Sequence, residues 1–235
     1  MSAEEHQMWD DLNFEYEEAY RDNPFKKACV EKAISLLQPG SNVFDVGCGT
    51  GIPVAKTLAD AGMKVTGTDV APSMVKYAQH QVKGTFEVAN MVDYQPSEQF
   101  NAIFIIYSQL GLSYQEFHTA MSKLIKTLLP DGLLVIGQSP AGEKVPADDP
   151  TWDETKSFVD GYNLPFWGKP FLTLMFTREG QARFLQSMGM EIVYDTVDVF
   201  QPNNPNCHPE TQQYIIARRK GSDPMVEPEP RPVKR

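Results

Sequence analysis

The sequence predicts an α/β fold: a doubly wound, mostly parallel sheet with helices on both faces and a reversed last strand. Short β-branched runs alternate with amphipathic stretches, which is typical of strand–helix–strand units. A glycine-rich turn follows the first strand run directly. Only 11 residues, 201–211, separate the last two strand runs. Because a parallel return needs a crossover of about a dozen residues or more, these two runs are predicted to pair antiparallel.

The first predicted helix begins after Asn23. This residue is a good N-cap, and Pro24 stands at the first helical position, where proline is tolerated. Apolar residues then recur at helical spacing until Pro39 and Gly40 end the helix.

The alternating part of the chain comes next. Strands are predicted at about 42–46, 64–69, 85–89, 102–107 and 133–138, and helices at about 52–61, 73–82 and 114–128. Ser113 with Glu116 three residues later forms a capping box at the start of the third of these helices. A helix over 177–190 and strands over 191–200 and 212–219 complete the fold.

The 235 residues are enough for one large domain. Residues 1–40 are predicted to form an N-terminal helical cap, 41–220 the main domain, and 221–235 a disordered, proline-rich tail. Within the main domain, 139–176 is an insert rich in proline, glycine and aromatic residues. Such long segments are usually functional, so a lid or a substrate-binding role is expected.

The composition argues against several classes of partner. A formal net charge of −10 provides no basic footprint for nucleic acid or for an anionic membrane surface. The apolar runs are too short to span a bilayer, and the acidic N-terminus lacks the pattern of a signal peptide. Three unpatterned cysteines predict neither disulfides nor a metal site. We expect a cytoplasmic protein with a small-molecule substrate, and the oligomeric state stays open.

The turn after the first strand contains Gly47, Gly49 and Gly51. Glycines at such a turn let backbone N–H groups approach a ligand at the start of the next helix. A P-loop is excluded because no Lys and Ser/Thr follow the last glycine. Asp45, two residues before the first glycine, would repel a pyrophosphate and attract an ammonium group. The loop therefore indicates a cofactor with a cationic end.

Asp69 ends the second predicted strand, 24 residues after Asp45. The ribose-binding acid of dinucleotide sites is expected about 20 residues on, and a carboxylate can accept two hydroxyl hydrogen bonds. An adenosine is therefore implied. The alternative is a glycine-rich turn with a surface aspartate.

With these features the sequence resembles the class I S-adenosylmethionine-dependent methyltransferases. FDVGCGTG is similar to their first motif, VTGTDVAPSMV to their second, EVANMVDY to the adenine-binding segment and LLPDGLLVIG to the fifth-strand motif. The resemblance implies a Rossmann-like sheet of seven strands, the last one antiparallel. It also implies S-adenosyl-L-methionine as cofactor and S-adenosyl-L-homocysteine as product.

The resemblance assigns the cofactor site residue by residue. Asn90 stands where the family usually has Asp, and the nearby Asp93 is a competing candidate for the adenine contact. The N-terminal tyrosines, at positions 16 and 20, either close over the cofactor or form one face of a short helix. The predicted cofactor contacts are Tyr16, Tyr20, Asp45, Gly47, Cys48, Gly49, Gly51, Asp69, Val70, Met74, Asn90, Met91 and Tyr107.

The acceptor site is expected at the carboxyl ends of the parallel strands, where Tyr107 ends the fourth strand. His208, in the connection before the last strand, is the candidate general base, because His titrates near neutral pH; a backbone-bonded loop histidine is the alternative. Trp152, Phe166 and Trp167 of the insert either line an apolar acceptor pocket or only pack the insert onto the sheet.

Together these features predict methyl transfer to O, N or S of a small, partly apolar or aromatic molecule. The alternative function is a protein of the same fold that binds the cofactor for regulation or for non-methylating chemistry.

Overall fold

The computed structural model describes residues 15, 17–142, 144–165, 170–205 and 207–221. The helices are α1 (Pro24–Ser35), α2 (Val54–Asp60), α3 (Pro72–Gln81), α4 (Tyr114–Leu124) and α5 (Arg178–Ser187). The strands are β1 (Asn42–Val46), β2 (Lys64–Asp69), β3 (Thr85–Val88), β4 (Phe100–Ile106), β5 (Leu128–Gln138), β6 (Phe158–Asn163), β7 (Leu172–Phe176), β8 (Met190–Phe200) and β9 (Glu210–Arg219). Residues 17–20 are also helical.

Seven strands form the main sheet in the order β3-β2-β1-β4-β5-β9-β8. The pairs from β3 to β5 are parallel, whereas β9 is antiparallel to both β5 and β8. The predicted seven-stranded sheet with a reversed last strand is confirmed. The strand order reverses between β1 and β4, and ligands of open α/β sheets bind beyond the carboxyl ends of the strands at such a point.

The predicted helix caps are present. The Asn23 side-chain oxygen accepts hydrogen bonds from the backbone N–H groups of Phe25 and Lys26, each at 3.0 Å. At α4, the Ser113 hydroxyl and the Glu116 carboxylate form the reciprocal capping box. These side chains satisfy backbone donors that have no partner within the helix, so they fix where each helix begins.

Helices cover both faces of the sheet, as predicted. On one face, α4 and α5 pack Phe117 and Phe184 into a large apolar cluster. On the other, α1, α2 and α3 contribute Val30, Leu58 and Ala78 to a second cluster. Burial of these two faces is the main contribution to the stability of the layered fold.

Two stretches differ from the predictions. Strand β5 begins at Leu128 rather than near 133, because Leu128 pairs with Phe100 before a bulge that shifts the register. The insert is not irregular throughout: β6 and β7 form an antiparallel two-stranded sheet. Its β7 strand donates a hydrogen bond from Leu174 N to Leu110 O at 3.0 Å, which ties the insert to the loop after β4. The predicted tail from 222 onward lies outside the described residues.

Candidate functional site

A cavity opens beyond the carboxyl ends of β1, β2 and β4. It holds about 1170 Å³, counting the part that opens to solvent. Most of the residues predicted from the sequence as cofactor contacts line it: Tyr20, Asp45, Gly47, Cys48, Gly49, Asp69, Val70, Met74, Asn90, Met91 and Tyr107. Tyr16 lies outside the described residues. The fold thus brings segments that are far apart in the sequence to one place, and their role as cofactor contacts stays a prediction.

The glycine turn is held against the end of β2. The Thr68 carbonyl accepts hydrogen bonds from Gly47 N at 2.7 Å and Cys48 N at 2.9 Å. Gly47 has a φ of +72°, and a Cβ there would lie 2.1 Å from the Cβ of Ser108. Only glycine therefore allows the ends of β1 and β4 to approach this closely.

Gly51 packs against the end of α3, and its role as a cofactor contact stays a prediction. It is not among the residues that line the cavity. A Cβ at Gly51 would lie 2.8 Å from Val82 Cγ2 and 3.3 Å from Ala78 Cβ. The third glycine of the loop therefore leaves room for the end of α3.

Asp69 ends β2 with both carboxylate oxygens oriented by the backbone. Oδ2 accepts a hydrogen bond from Gly49 N at 2.9 Å, and Oδ1 accepts one from Ala71 N at 3.0 Å. Each oxygen of an ionised carboxylate can accept a further hydrogen bond. The carboxylate can therefore receive ligand hydroxyl groups without giving up either backbone bond.

Asp45 has a buried carboxyl group, and only 2% of the residue is exposed. Burial, reinforced by the nearby Asp69 carboxylate, raises its pKa to about 7, and Lys26 opposes this shift. Its Oδ2 atom has no hydrogen-bond partner within the described part of the chain. Since an unpaired buried acceptor is costly, this oxygen is suited to a cationic or N–H-bearing ligand group.

The segment after β3 contains both candidates for the adenine contact, Asn90 and Asp93, and they differ in where they lie. Asn90 and Met91 line the cavity, whereas Asp93 is exposed and does not. The Asn90 side-chain oxygen already accepts a hydrogen bond from Val92 N at 2.9 Å. That bond fixes the side chain and leaves a second lone pair on the oxygen.

The N-terminal helical turn packs against the connection between β8 and β9. Tyr20 contacts the Phe200 ring with centroids 5.9 Å apart, and its hydroxyl donates to Glu210 Oε2 at 3.3 Å. Asn203 N donates to Ala19 O at 2.9 Å. Residues 17–20 thereby form one wall of the cavity, to which Glu17 and Tyr20 contribute side chains.

Tyr107 follows β4 in an unusual backbone conformation, with a φ of +62°. Its hydroxyl donates to Gln138 O at 3.2 Å, and its ring meets the Tyr214 ring edge-on at 6.0 Å. A positive φ is uncommon for a large residue and persists where the surroundings enforce it, often at functional sites. These contacts hold the Tyr107 ring at the cavity.

Lys26 and Glu17 are cavity residues that the sequence reasoning missed. Lys26 is 7% exposed, and its Nζ lies 5.9 Å from the centre of the Tyr107 ring. Burial lowers its pKa to about 8, against the raising effect of the Glu210 and Asp45 carboxylates. A signal was available: Lys26 lies on the same helical face as Cys29, Val30 and Ala33, where an apolar residue is expected.

Two predicted acceptor-site residues, His208 and Trp152, do not line the cavity, and their roles stay predictions. His208 is exposed and does not line the cavity. It lies in the connection before β9, and β9 is three strand positions from β1, or roughly 14 Å at the usual spacing. Trp152 packs within the insert beside Val145 and Met175, and its indole N–H donates to Pro146 O at 2.9 Å. Phe166 and Trp167 lie outside the described residues.

The described residues contain no cluster of His, Cys, Asp and Glu that could hold a metal ion. Among the helices in this part of the chain, none combines the length and the apolar character needed to cross a bilayer.

The sheet order and its helices define an α/β protein of the class I methyltransferase architecture. A family model for a methyltransferase domain matches residues 43–132, which include β1 to β4 and the cavity loops. Residues 43–132 therefore resemble the methyltransferase domain family, and the sheet that contains them has the fold of the class I S-adenosylmethionine-dependent enzymes.

Two sequence relatives illustrate the match. Ubiquinone biosynthesis O-methyltransferase of Nitrosospira multiformis is 33% identical over 92 residues, which cover 39% of this chain and 36% of that protein. Demethylmenaquinone methyltransferase of Tropheryma whipplei is 32% identical over 102 residues, or 41% of each chain. This chain thus spans less than half the length of these relatives.

Solved structures extend the likeness across the fold. The 1,6-didemethyltoxoflavin-N1-methyltransferase of Burkholderia thailandensis has a TM-score of 0.68 at 15% identity, covering 92% of this chain and 87% of that chain. The cyclase SpnF has a TM-score of 0.66 at 17% identity, covering 92% of this chain and 96% of that chain. At these identities the likeness is one of fold.

Proposed function

We propose that the protein is an S-adenosylmethionine-dependent methyltransferase that acts on O, N or S of a small, partly apolar or aromatic molecule. The observation that carries this proposal is the pair of carboxylates at the glycine loop. Asp45 presents a buried oxygen without a partner among the described residues, and Asp69 presents a backbone-oriented carboxylate in the same cavity. An adenosine linked to an amino acid has an ammonium group for the first and ribose hydroxyls for the second.

The residues that line the cavity also fit the adenine ring of this cofactor. Asn90 provides an amide beside the cavity, and Met74 and Met91 provide polarisable apolar surface for a ring. When bound, S-adenosylmethionine supplies a methyl group already activated on a sulfonium. The chain therefore has to bind, orient the acceptor and exclude water, and no acid or base is obligatory when the acceptor arrives deprotonated.

The methyl acceptor is proposed to bind against the loop after β4. Tyr107, Leu110 and Leu112 line the cavity there, and they favour an apolar or aromatic molecule. The insert positions this loop through the bond from Leu174 N to Leu110 O. Phe166 and Trp167 stay predicted contributors to acceptor binding. His208 is exposed and away from the cavity, so it has no part in the proposal.

A net charge of −10 favours a small molecule over nucleic acid as the acceptor, since polyanion binding requires a basic surface. The same composition, with three cysteines in no disulfide pattern, favours a cytoplasmic location.

The test is to incubate the protein with methyl-labelled S-adenosylmethionine and panels of small phenols, amines and thiols. A labelled product supports the proposal and identifies the acceptor atom. Asp69→Ala is the matched control, because it should lose the product together with cofactor affinity.

A second candidate is a protein of this fold that binds the cofactor for other chemistry. The fold likeness to SpnF, whose name denotes a cyclase, favours it, as does a transfer reaction that demands no particular side chain. Calorimetric binding of S-adenosylhomocysteine without labelled product from any panel, nor from a metabolite extract, would favour this second function.

A further inference from the structure

Glu17 is a buried carboxylate in the wall that residues 17–20 form along the cavity. Its side chain is only 5% exposed. One oxygen, Oε1, accepts a hydrogen bond from the Arg21 guanidinium at 2.9 Å. The other, Oε2, is buried and has no hydrogen-bond partner within the described part of the chain. Because an unpaired buried acceptor is costly, this oxygen is suited to a ligand group that donates a hydrogen bond.

The charges around Glu17 sum to a net negative charge. Arg21 also lies 3.3 Å from a carboxylate oxygen of Glu18, so one guanidinium serves two carboxylates. Of the described residues that line the cavity, only Lys26 is a cation, and it interacts with the carboxylates of Glu210 and Asp45. A hydrogen bond is stronger when its donor carries a positive charge and its acceptor a negative one. A cationic donor would therefore compensate Glu17 better than a neutral donor.

The segment that carries Glu17 is anchored on the side of β4 opposite the glycine loop. Strand β9 is antiparallel to β5 and to β8, so β8 ends and β9 begins at the carboxyl edge of the parallel strands. Residues 17–20 pack at this edge, where the Tyr20 and Phe200 rings have centroids 5.9 Å apart. In the sheet, β8 and β9 lie beyond β4 and β5, whereas the glycine loop and Asp69 follow β1 and β2. Glu17 therefore enters the cavity from the side where the methyl acceptor is proposed to bind.

Other residues of the cavity suit a cation with an apolar body. The rings of Tyr20 and Tyr107 line the cavity, and the faces of aromatic rings attract ammonium groups. The Tyr107 ring already lies 5.9 Å from the Lys26 ammonium, measured to the ring centre. Leu110 and Leu112 add apolar surface to the same cavity. Together with Glu17, these side chains favour a ligand that has an amine on a hydrocarbon or aromatic body.

We propose that the methyl acceptor carries a protonated amine and that Glu17 binds this group, which makes Glu17 a specificity-determining residue. This inference rests on the proposed function, since it names the class of the acceptor. A neutral phenol or thiol would gain only an uncharged donor bond from Oε2, and its anion would be repelled. An alkylammonium group supplies the donor and the compensating charge together. The acceptor class is therefore an apolar or aromatic amine.

The experiment uses analogues of S-adenosylhomocysteine in which a nitrogen replaces the sulfur and carries a side arm. Arms of several lengths end in an amine, a hydroxyl or a methyl group, so the result does not depend on the shape of the natural acceptor. Isothermal titration calorimetry near neutral pH measures each affinity. At the best arm length, wild-type protein should prefer the amine to the hydroxyl by roughly 10- to 100-fold, the range for a charge-assisted hydrogen bond. In Glu17→Gln most of this preference should disappear, while S-adenosylhomocysteine and the methyl-ended analogues bind as to wild type.

Two further variants serve as controls. Glu18→Gln alters the neighbouring carboxylate, which also pairs with Arg21 but has a side chain 65% exposed, and it should leave every affinity unchanged. Glu17→Asp keeps the charge on a shorter side chain, so the preference for the amine should persist and move to longer arms. Glu17→Gln should fold, because a neutral amide of the same shape costs less to bury than a carboxylate, and a thermal melt checks this.

The outcomes separate this inference from the proposed function. If wild-type protein binds S-adenosylhomocysteine but shows no preference for the amine at any arm length, the inference is overturned and the proposed function stands. A preference that survives in Glu17→Gln, or a weakening of S-adenosylhomocysteine itself in that variant, overturns the role of Glu17. Should Glu17→Gln fail to fold, Glu17→Asp decides, and an unchanged best arm length overturns the role. Failure of wild-type protein to bind S-adenosylhomocysteine at all overturns both.

Discussion

The Asp69 carboxylate accepts a hydrogen bond from the backbone N–H of Gly49 at 2.9 Å. This bond joins the end of β2 to the middle of the glycine loop, so the residue proposed to bind the ribose also orders the loop proposed to hold the amino acid. Loop geometry and ligand binding therefore depend on one side chain. Mutations at Asp69 should affect both.

We expect Asp69→Ala to weaken S-adenosylhomocysteine binding by about 1–3 kcal/mol, the range for a lost hydrogen-bonding partner. The melting temperature should also fall, because Gly49 N and Ala71 N lose their acceptor. Asp69→Asn keeps one carbonyl acceptor and should lose less of both. Calorimetry and thermal melts check these values, and unchanged affinity in Asp69→Ala would remove the ribose assignment.

Cofactor affinity should be greatest between about pH 7 and pH 8. The pKa of Asp45 is raised to about 7, so below this pH the carboxyl group protonates and loses its attraction for the ammonium group. The pKa of Lys26, a buried lysine in the same cavity, is lowered to about 8, so above this pH the cavity loses its attraction for an anionic group of the ligand. Calorimetric titrations of S-adenosylhomocysteine from pH 5.5 to pH 9.5 measure this. In Lys26→Met the alkaline limb should be absent, and a profile identical to wild type would contradict the assignment.

Asp45→Asn should stabilise the ligand-free protein more at pH 8 than at pH 5. The folded-state pKa of Asp45 is raised from 3.8 to about 7, so its favourable contribution exists below the unfolded value and is lost as the pH rises through 7. At pH 8 the buried ionised carboxylate costs on the order of 1–3 kcal/mol, part of which Lys26 offsets. Urea denaturation at both pH values gives the difference, and equal effects at the two would contradict the pKa shift.

Gly51→Ala should destabilise the fold more than Gly62→Ala. Both glycines have a φ of +81°, but a Cβ at Gly51 meets Val82 at 2.8 Å, whereas nothing lies within 4 Å at Gly62. Gly62→Ala should therefore lower the free energy of unfolding only by the cost of alanine at a positive φ, about 1 kcal/mol. Gly51→Ala should lose about 1–3 kcal/mol more, because its Cβ overpacks against Val82. Denaturant titrations compare the two variants, and equal losses would show that α3 moves aside at no cost.

The sequence predicted the sheet correctly, and it predicted a set of cofactor residues most of which line one cavity, because both follow from local patterns. Strand periodicity and the reversed hairpin determine the sheet, and the glycine loop with Asp69 lies at fixed spacing around two strands. Lys26 was missed because its partners, Asp45 and the Tyr107 ring, are distant in sequence and meet it only through packing of α1.

His208, the candidate base, does not line the cavity, and the reason is related. The pattern showed that the connection before the last strand lies at the correct edge of the sheet. It did not show how far along that edge this connection lies from the cavity. In the sheet, β4 and β5 separate β9 from β1. Lateral strand order is a tertiary property that short motifs do not encode.

Asn23 connects the helix that carries Lys26 to the reversed strand. Its Oδ1 caps α1, and its Nδ2 donates to Gln212 Oε1 at 2.7 Å and to the Tyr214 hydroxyl at 3.2 Å. Asn23→Ala removes the cap and two donor bonds to β9, where Gln212 Oε1 keeps the hydrogen bond from the Tyr214 hydroxyl at 2.9 Å. The free energy of unfolding should therefore fall by about 2–4 kcal/mol.

Asn23→Ser separates the two roles. Serine retains the cap but cannot supply both long-range donor bonds, so it should lose only part of the stability. Urea denaturation of the two variants gives these free energies. Since α1 also positions Lys26, both should weaken S-adenosylhomocysteine binding less than Lys26→Met does at temperatures where they are folded. If serine restored full stability, the bonds to β9 would contribute nothing, and α1 would be held against the sheet by apolar packing alone.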